Sequence, residues 1–194
     1  MTGLIAVATM RHSHAARMRG LCFCVVAVTA CGTFVTAMGL RMNFTASVPV
    51  GIYRTIPTSR GVRVGMLAAV CPPSDAAALG RERGYLLRGQ CAHGAEPLLK
   101  RIVAVGGGEV RVASSGVYVD GRRLAHSAPL AADRAGRALA AWPVGRYRIA
   151  RGMLWMYADN ERSWDSRYWG PVPIGNVIAV MRPLVFVGGD GTWR

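Results

Sequence analysis

Residues 97–108 read PLLKRIVAVGGG, an apolar run with one lysine near its start and three glycines at its end. Such a run, bounded by Pro and Gly, is typical of a buried β-strand, and we predict one over Leu98–Val105. Lys100 is the single lysine among the 24 Lys and Arg residues. Burial in an apolar strand lowers the pKa of an amine and makes it a candidate proton acceptor. The alternative is a lysine whose ammonium reaches the solvent.

Further strands are predicted on both sides of this run. They cover Val62–Cys71, Glu109–Ala113, Val117–Val119, Tyr147–Ile149, Met153–Tyr157 and Asn176–Val187. Pro72-Pro73 stops the first of these, Asp120-Gly121 forms a tight turn, and Pro183 indicates an edge or a break in the last. Two helices are expected at Ser74–Arg83, with Ser74 as the N-cap, and at Leu130–Ala141. The pattern predicts a mainly β domain.

The composition limits what this domain can be. The chain has 194 residues, of which 52% are hydrophobic, so it has room for one domain plus appendages and is not disordered. The net charge of +14 comes from scattered Arg residues, without a basic helix or an aromatic-interleaved stripe. We therefore expect anionic lipid headgroups, rather than nucleic acid, beside this surface. The five cysteines lack the spacing of a zinc module, and we expect neither a metal nor a cofactor.

A stretch without charge occupies Gly20–Leu40. A helix of this length spans about 30 Å, the hydrocarbon thickness of a bilayer. Arg11, Arg17 and Arg19 precede it, so the positive-inside rule places residues 1–19 in the cytoplasm, a transmembrane anchor at 20–40, and residues 41–194 in the periplasm. The expected location is the inner membrane. The alternative is a cleaved secretory signal, and both alternatives export the downstream domain.

Two cysteines, Cys71 and Cys91, fall in this exported part. Disulfides persist outside the cytoplasm, so the two residues either form a bridge or remain free buried thiols.

One serine stands out in residues 43–53, NFTASVPVGIY. Ser47 follows the anchor closely, and Pro49 and Gly51 constrain the backbone around it. A serine hydroxyl needs a base to become nucleophilic. His93 and His126 lie in loop-like sequence and are expected at the surface, which makes Lys100 the candidate base in a Ser–Lys version of the catalytic triad.

A third chemical segment reads ADNERSWDSRYWGPV over residues 158–172. Asp165 and Arg167 are two residues apart and are predicted to point the same way in a strand, or to form a structural ion pair. Ser163 is placed to hydrogen-bond the lysine amine. We expect the aromatic side chains of this segment to pack or to contact the membrane interface, namely Trp164, Tyr168 and Trp169.

Together, these three segments resemble the type I signal peptidases, which are membrane-anchored Ser–Lys endopeptidases, and in particular their TraF-like branch from conjugative transfer systems. The resemblance rests on Asn43…Ser47-Val-Pro-Val-Gly-Ile-Tyr, on Glu96-Pro-Leu-Leu-Lys100-Arg and on Asp159-Asn…Ser163…Asp165-Ser-Arg-Tyr…Gly170, in family order. It implies a signal-peptidase-like β domain behind one transmembrane helix. Cys71 and Cys91 also recur in the TraF-like branch.

The resemblance also implies the roles of individual residues. Ser47 would be the nucleophile and Lys100 the general base, oriented by Ser163. Asp165 would support the site through Arg167 or assist more directly. The Ser47 N–H and the Thr45 hydroxyl would form the oxyanion hole.

The expected function is therefore a serine endopeptidase that acts on exported protein precursors. By resemblance, the substrate is a conjugative pilin precursor, whose product is released by water or cyclised. One alternative is a general signal peptidase that serves many secreted proteins. Another is a non-catalytic, membrane-tethered basic β module that binds DNA or a partner of the transfer apparatus. The sequence leaves the oligomeric state open.

Overall fold

The computed structural model describes residues 22–23, 29, 32–33, 38–43, 48–58 and 61–186. The chain divides into two compact units, Met1–Arg41 and Met42–Arg194. The described residues between 22 and 33 are helical. No helix within the described residues is long and apolar enough to cross a membrane. Most of the anchor expected at 20–40, and all of the segment 1–19, lie outside the described residues.

Strands dominate the second unit, as the sequence predicts. In chain order they are β1 (Leu40–Asn43), β2 (Gly51–Ile56), β3 (Leu67–Val70), β4 (Leu98–Val105), β5 (Glu109–Ala113), β6 (Gly116–Val119), β7 (Arg122–Arg123), β8 (Gly145–Arg148), β9 (Met153–Tyr157), β10 (Val172–Pro173) and β11 (Val177–Phe186). Seven of them form one sheet in the order β1-β2-β11-β3-β4-β9-β10, and four form a second sheet in the order β7-β6-β5-β8. The mainly β fold is confirmed.

Strand β4 has the bounds that the sequence predicts. It pairs antiparallel with β3 over Leu98–Arg101 and with β9 over Arg101–Val105. Its side chains pack into two hydrophobic clusters on opposite faces, and a register shift against β9 between Ile102 and Ala104 interrupts the strict alternation. Ile102 packs with Ala68 and Met156, whereas Val103 packs with the cluster beneath the four-stranded sheet. Since both faces of β4 are covered, Lys100, Ile102, Val103 and Ala104 are buried and the other four residues of the strand are partly buried.

The four-stranded sheet confirms the predicted hairpin. Strands β5 and β6 pair from Val110↔Val119 to Ala113↔Gly116. The predicted turn at Asp120-Gly121 leads into β7, and both of its residues have positive φ, 46° and 82°. Left-handed backbone at two successive positions is typical of the tight turns that match the twist of a hairpin.

Two predicted strands need revision. The strand expected over Val62–Cys71 is limited to Leu67–Val70, because Gly65 has φ +89° and the chain before it is in turns. Strand β11 lies between β2 and β3, so it is not an edge of the sheet. Its pairing with β3 ends at Met181, and its register against β2 shifts between Pro183 and Val185. The predicted break at Pro183 is therefore present where β11 has only one partner.

The predicted helices are corrected as well. Helix α1 covers Ser74–Glu82, but Pro73 is its N-cap and no side chain caps it. The Ser74 hydroxyl instead lies 2.9 Å from Nε2 of His93.

The helix predicted at Leu130–Ala141 is absent from this described segment, which forms turns and one isolated bridge between Ala132 and Ala138. The Asp133 carboxylate accepts hydrogen bonds from the backbone N–H groups of Ala135 and Arg137, 2.9 and 3.0 Å long. A carboxylate that binds nearby backbone N–H groups stabilises a turn in competition with a helix.

Candidate active site

Lys100 lies in the middle of the large sheet, with 1% of its surface exposed. Its strand partner on β3 is Ala68, which is fully buried. The pKa of the Lys100 amine is lowered to about 8, mainly because burial disfavours the charged form; the Asp165 and Glu96 carboxylates act to raise the pKa, and the Arg167 charge acts to lower it. Of the two interpretations left open by the sequence, the buried amine is the one observed.

The Lys100 amine contacts Ser163. Its Nζ donates a hydrogen bond of 2.6 Å to the Ser163 hydroxyl oxygen, and both side chains are buried. Ser163 belongs to the loop between β9 and a short helix, α2 (Ser166–Trp169). A turn with the Ser163 N–H bonded to the Asn160 carbonyl, 3.0 Å away, brings this loop over β4.

Asp165 and Arg167 form a fully buried ion pair. The pair is bidentate: Arg167 Nε donates to Asp165 Oδ1 and Nη2 donates to Oδ2, each over 2.8 Å. The same carboxylate accepts the backbone N–H of Arg167 at 3.1 Å and of Ala158 at 3.2 Å. The expectation that the two residues lie in a strand is therefore wrong, and the alternative of a structural ion pair is the arrangement observed. Asp165 is the N-cap of α2, where its carboxylate satisfies an N–H that a helix start leaves open.

The rest of the Arg167 guanidinium binds backbone carbonyls. Nη1 donates to the carbonyls of His126 and Glu161, at 2.8 and 3.2 Å, and Nη2 donates to those of Asn160 and Ser163, at 2.6 and 3.3 Å. These bonds hold the loop that carries Ser163. The sequence contains no sign of them, because a carbonyl acceptor is present at every residue.

A second segment braces this loop from outside, and we call residues 125–142 the strap. The backbone N–H of Leu130 binds the Tyr168 hydroxyl at 3.1 Å, and the N–H of Trp142 binds the Arg167 carbonyl at 2.7 Å. The Tyr157 hydroxyl donates to the Ala125 carbonyl. The strap is a positioning element that sequence reasoning missed, since its contacts are mostly made by its backbone.

The other expected site residues are distributed as follows. Ser47 and Thr45 lie outside the described residues. The chain on both sides of them is tied together, because Asn43 Nδ2 donates to the carbonyls of Val48 and Pro49 at 3.0 and 3.1 Å. The Tyr53 hydroxyl donates to the Pro49 carbonyl at 2.6 Å. Residues 43 and 48 are thus held close together at the base of the segment that contains Ser47.

The remaining predicted residues are the two histidines and the aromatic side chains of the third segment. His93 and His126 are exposed, as expected, and His126 pairs with Asp159 over 2.8 Å. The aromatic side chains of the third segment pack: Trp164 stacks on Tyr168, with 5.2 Å between ring centroids, and Trp169 lies in the core.

The two cysteines of the exported part, Cys71 and Cys91, form a disulfide in the structure. Their loop carries α1 and rejoins the sheet at the start of β4. The bridge therefore restrains the chain shortly before β4, the strand that carries Lys100.

Comparison with known proteins identifies the family of this site. A family model described as signal peptidase, peptidase S26, matches residues 15–186. The chain is 37% identical over 165 residues to a conjugal transfer protein TraF of Agrobacterium tumefaciens, an alignment that covers 81% of this chain and 92% of that protein. The chain belongs to the S26 signal peptidase family.

Other S26 relatives include a plasmid transfer protein TraF of Escherichia coli, 37% identical over 77% of this chain and 84% of that protein. A probable signal peptidase I-2 of Synechocystis is 33% identical over 48% of this chain and 42% of that protein. A signal peptidase I of Enterococcus faecalis has a TM-score of 0.35 and 17% identity, covering 62% of this chain and 96% of that structure.

Proposed function

We propose that this S26 peptidase is a membrane-anchored serine endopeptidase with Ser47 as nucleophile and Lys100 as general base. The observation that carries the proposal is the buried amine of Lys100, with a pKa lowered to about 8 and one N–H donated to Ser163 over 2.6 Å. Roughly a tenth of such an amine is uncharged at pH 7, which suffices for a base that returns to its uncharged form in each cycle.

Proton transfer follows from this arrangement. The neutral amine takes the proton of the Ser47 hydroxyl while the oxygen attacks the scissile carbonyl, and the resulting ammonium gives that proton to the leaving amine. Ser163 accepts one N–H of the Lys100 amine and so fixes the orientation of the nitrogen. The Ser47 N–H and the Thr45 hydroxyl would bind the oxyanion. The acyl ester that forms on Ser47 is then attacked by water or by an amine, which releases the product.

Asp165 acts in this proposal through Arg167 and not as a proton carrier. Its two carboxylate oxygens already accept four hydrogen bonds, three from Arg167 and one from Ala158. Arg167 in turn binds the carbonyl of Ser163. The ion pair therefore sets the position of the Ser163 hydroxyl, and Ser163 sets that of the Lys100 amine.

The proposed substrate is an exported precursor of the conjugative apparatus, most specifically a pilin precursor. The names of the relatives support a role in conjugation, because the extensive matches are to conjugal or plasmid transfer proteins. The uncharged stretch at 20–40 would anchor the chain in the inner membrane, with the peptidase domain in the periplasm. A membrane-embedded pilin precursor and the enzyme would then share the same bilayer.

The central experiment compares Ser47→Ala and Lys100→Arg with the unmodified full chain. Both variants should lose cleavage of a pilin precursor by at least about 10³-fold, because one lacks the nucleophile and the other keeps the charge but cannot act as a base. Product is measured by mass spectrometry, and circular dichroism checks the fold. Arg88→Lys, an exposed position away from the site, is the matched control and should retain activity. Undiminished cleavage by folded Lys100→Arg would contradict the role of Lys100 as general base, whereas absence of cleavage by the unmodified chain would favour the non-catalytic module.

A general signal peptidase is the second candidate, supported by the match to the probable signal peptidase I-2. Incubation of the chain with an ordinary secretory precursor and with a pilin precursor separates the two functions. Preferential cleavage of the pilin precursor supports the dedicated enzyme, and equal turnover supports the general one. A pilin product lighter by one further water would indicate cyclisation.

A further inference from the structure

A row of basic and aromatic side chains crosses the four-stranded sheet. Cross-strand pairing places Arg123 of β7 opposite Tyr118 of β6, Tyr118 opposite Arg111 of β5, and Arg111 opposite Arg146 of β8. We call these four residues the basic row. It is invisible along the sequence, because each residue comes from a different strand.

The basic row lies on the outer face of this sheet. On β5 the neighbouring residues Val110 and Val112 are buried in the core, so Arg111 points to the opposite side. Arg123 and Arg146 are exposed, and Arg111 and Tyr118 are partly buried. The Arg111 guanidinium lies 3.6 Å from the centroid of the Tyr118 ring.

Positive charge on this face exceeds what the sheet itself balances. The four strands contain a single carboxylate, Glu109, and five arginines; those at positions 111, 123, 146 and 148 share the outer face with Glu109, whereas Arg122 precedes Arg123 and points to the other face. Glu109 lies 3.6 Å from Arg146, and both side chains are at least half exposed, so their attraction is weak. Asp120, in the adjoining turn, accepts the backbone N–H of Glu109 at 3.0 Å. Like charges that face each other across strands, as Arg111 and Arg146 do, destabilise a sheet. An external anion would relieve this repulsion.

We propose that the basic row docks onto an anionic phospholipid surface. Guanidinium groups bind phosphate through charge-assisted hydrogen bonds. One face of the sheet presents several of them to a layer of headgroups, and Arg123 shares its Nε and Nη2 with the Ser115 carbonyl. Tyrosine is common at the membrane interface, and the apolar Val144, 73% exposed, stands immediately before β8.

The guanidinium that covers one face of the Tyr118 ring favours lipid over nucleic acid as the binding partner. Single-stranded nucleic acids stack their bases on open aromatic rings, whereas Arg111 already covers one face of this ring. The proposal rests on the membrane anchor proposed above, which would keep the sheet near headgroups at a high effective concentration.

The test uses the full chain in neutral detergent micelles, doped with either phosphatidylglycerol or phosphatidylcholine, and measures amide hydrogen exchange of residues 109–148. Phosphatidylglycerol alone should slow exchange in β5 to β8, and about 0.5 M salt should remove the effect. Each basic residue near an anionic surface strengthens binding about fivefold, so R111Q/R123Q/R146Q should weaken it by on the order of 100-fold. The charge-matched control R63Q/R88Q/R134Q, at exposed positions outside this sheet, should retain the protection.

Several results would overturn the proposal. They are equal exchange in both lipids, equal loss of protection in the control variant, and protection by inorganic phosphate, polyglutamate or single-stranded DNA at the same charge concentration without phosphatidylglycerol. The Ser47→Ala chain should show the same protection as the unmodified chain, so failure of the peptidase proposal and failure of this one are separable.

Discussion

At the scale of single residues, the proposed site depends on how the pKa of one amine is lowered. The Lys100 side chain is buried beside the large sheet, and the resulting loss of hydration is the largest influence on its pKa. Asp165 opposes this effect, and the charge of Arg167, its bidentate partner, partly offsets the contribution of Asp165. The ion pair thus supplies a rigid support next to the amine while the pKa remains lowered.

Activity should rise with pH as Lys100 loses its proton. We expect kcat/KM to increase about tenfold per pH unit below pH 8 and to level off above it, because only the neutral amine accepts the Ser47 proton. Initial rates of precursor cleavage from pH 5.5 to 9.5 measure this. A flat profile over that range would show that Lys100 is not the base.

The same shift has a consequence for stability. The pKa of Lys100 is lower in the folded chain, about 8, than its usual value of 10.5, so between these values the unfolded chain binds the extra proton. The contribution of Lys100 to the free energy of unfolding should therefore rise with pH across this window.

Loss of the Ser163 hydroxyl should impair the base without abolishing it. Ser163→Ala removes the 2.6 Å acceptor of the Lys100 amine, and we expect kcat to fall about 10- to 100-fold, the equivalent of one hydrogen bond to a charged group. Ser163→Thr keeps a hydroxyl and is the rescue variant. The measurement is the pH profile of kcat, since an altered apparent pKa distinguishes an effect on Lys100 from a general loss of fold.

At the scale of elements, the site is assembled from pieces that are distant in sequence. Strand β4 contributes the amine, the loop between β9 and α2 contributes Ser163, and the strap holds α2 by backbone contacts with Arg167 and Tyr168. The C-terminal end of α2 packs closely against the strap, because a Cβ atom on its C-cap residue, Gly170, would lie 2.5 Å from the Trp142 ring.

Gly170→Ala should loosen this contact between the strap and α2. Gly170 has φ +68°, so the substitution combines backbone strain with the clash against Trp142, and we expect a loss of about 2–4 kcal/mol in the free energy of unfolding. Gly175→Ala is the control, because the space around Gly175 is open. Urea denaturation of both variants gives the comparison, and equal stabilities would argue against a tight fit.

At the scale of the whole molecule, one covalent link bears on the unfolding of the domain. The Cys71–Cys91 disulfide closes a loop with a sequence separation of 20. In the chain-entropy model a loop of this size stabilises the fold by about 3 kcal/mol, because it restricts the unfolded chain. The double variant Cys71→Ser/Cys91→Ser should lose roughly this amount in urea denaturation. A change below about 0.5 kcal/mol would mean that the bridge does not stabilise the domain.

The sequence by itself determined the mainly β fold, the bounds of β4 and the residue types of the site. Those features depend on local patterns: an apolar run between Pro97 and three glycines, a single lysine, and a Ser-x-Asp-x-Arg spacing. The helix predicted at 130–141 was wrong, because the Asp133 carboxylate forms turn contacts that helix-forming alanines do not reveal.

Only the tertiary structure decided which groups meet. The burial that lowers the Lys100 pKa, the carbonyls that hold Arg167 and the alignment of the basic row all arise where strands and loops far apart in the chain are brought side by side. Desolvation, hydrogen bonding and charge repulsion act through space, so their outcome is set by the packed arrangement and not by the order of the residues.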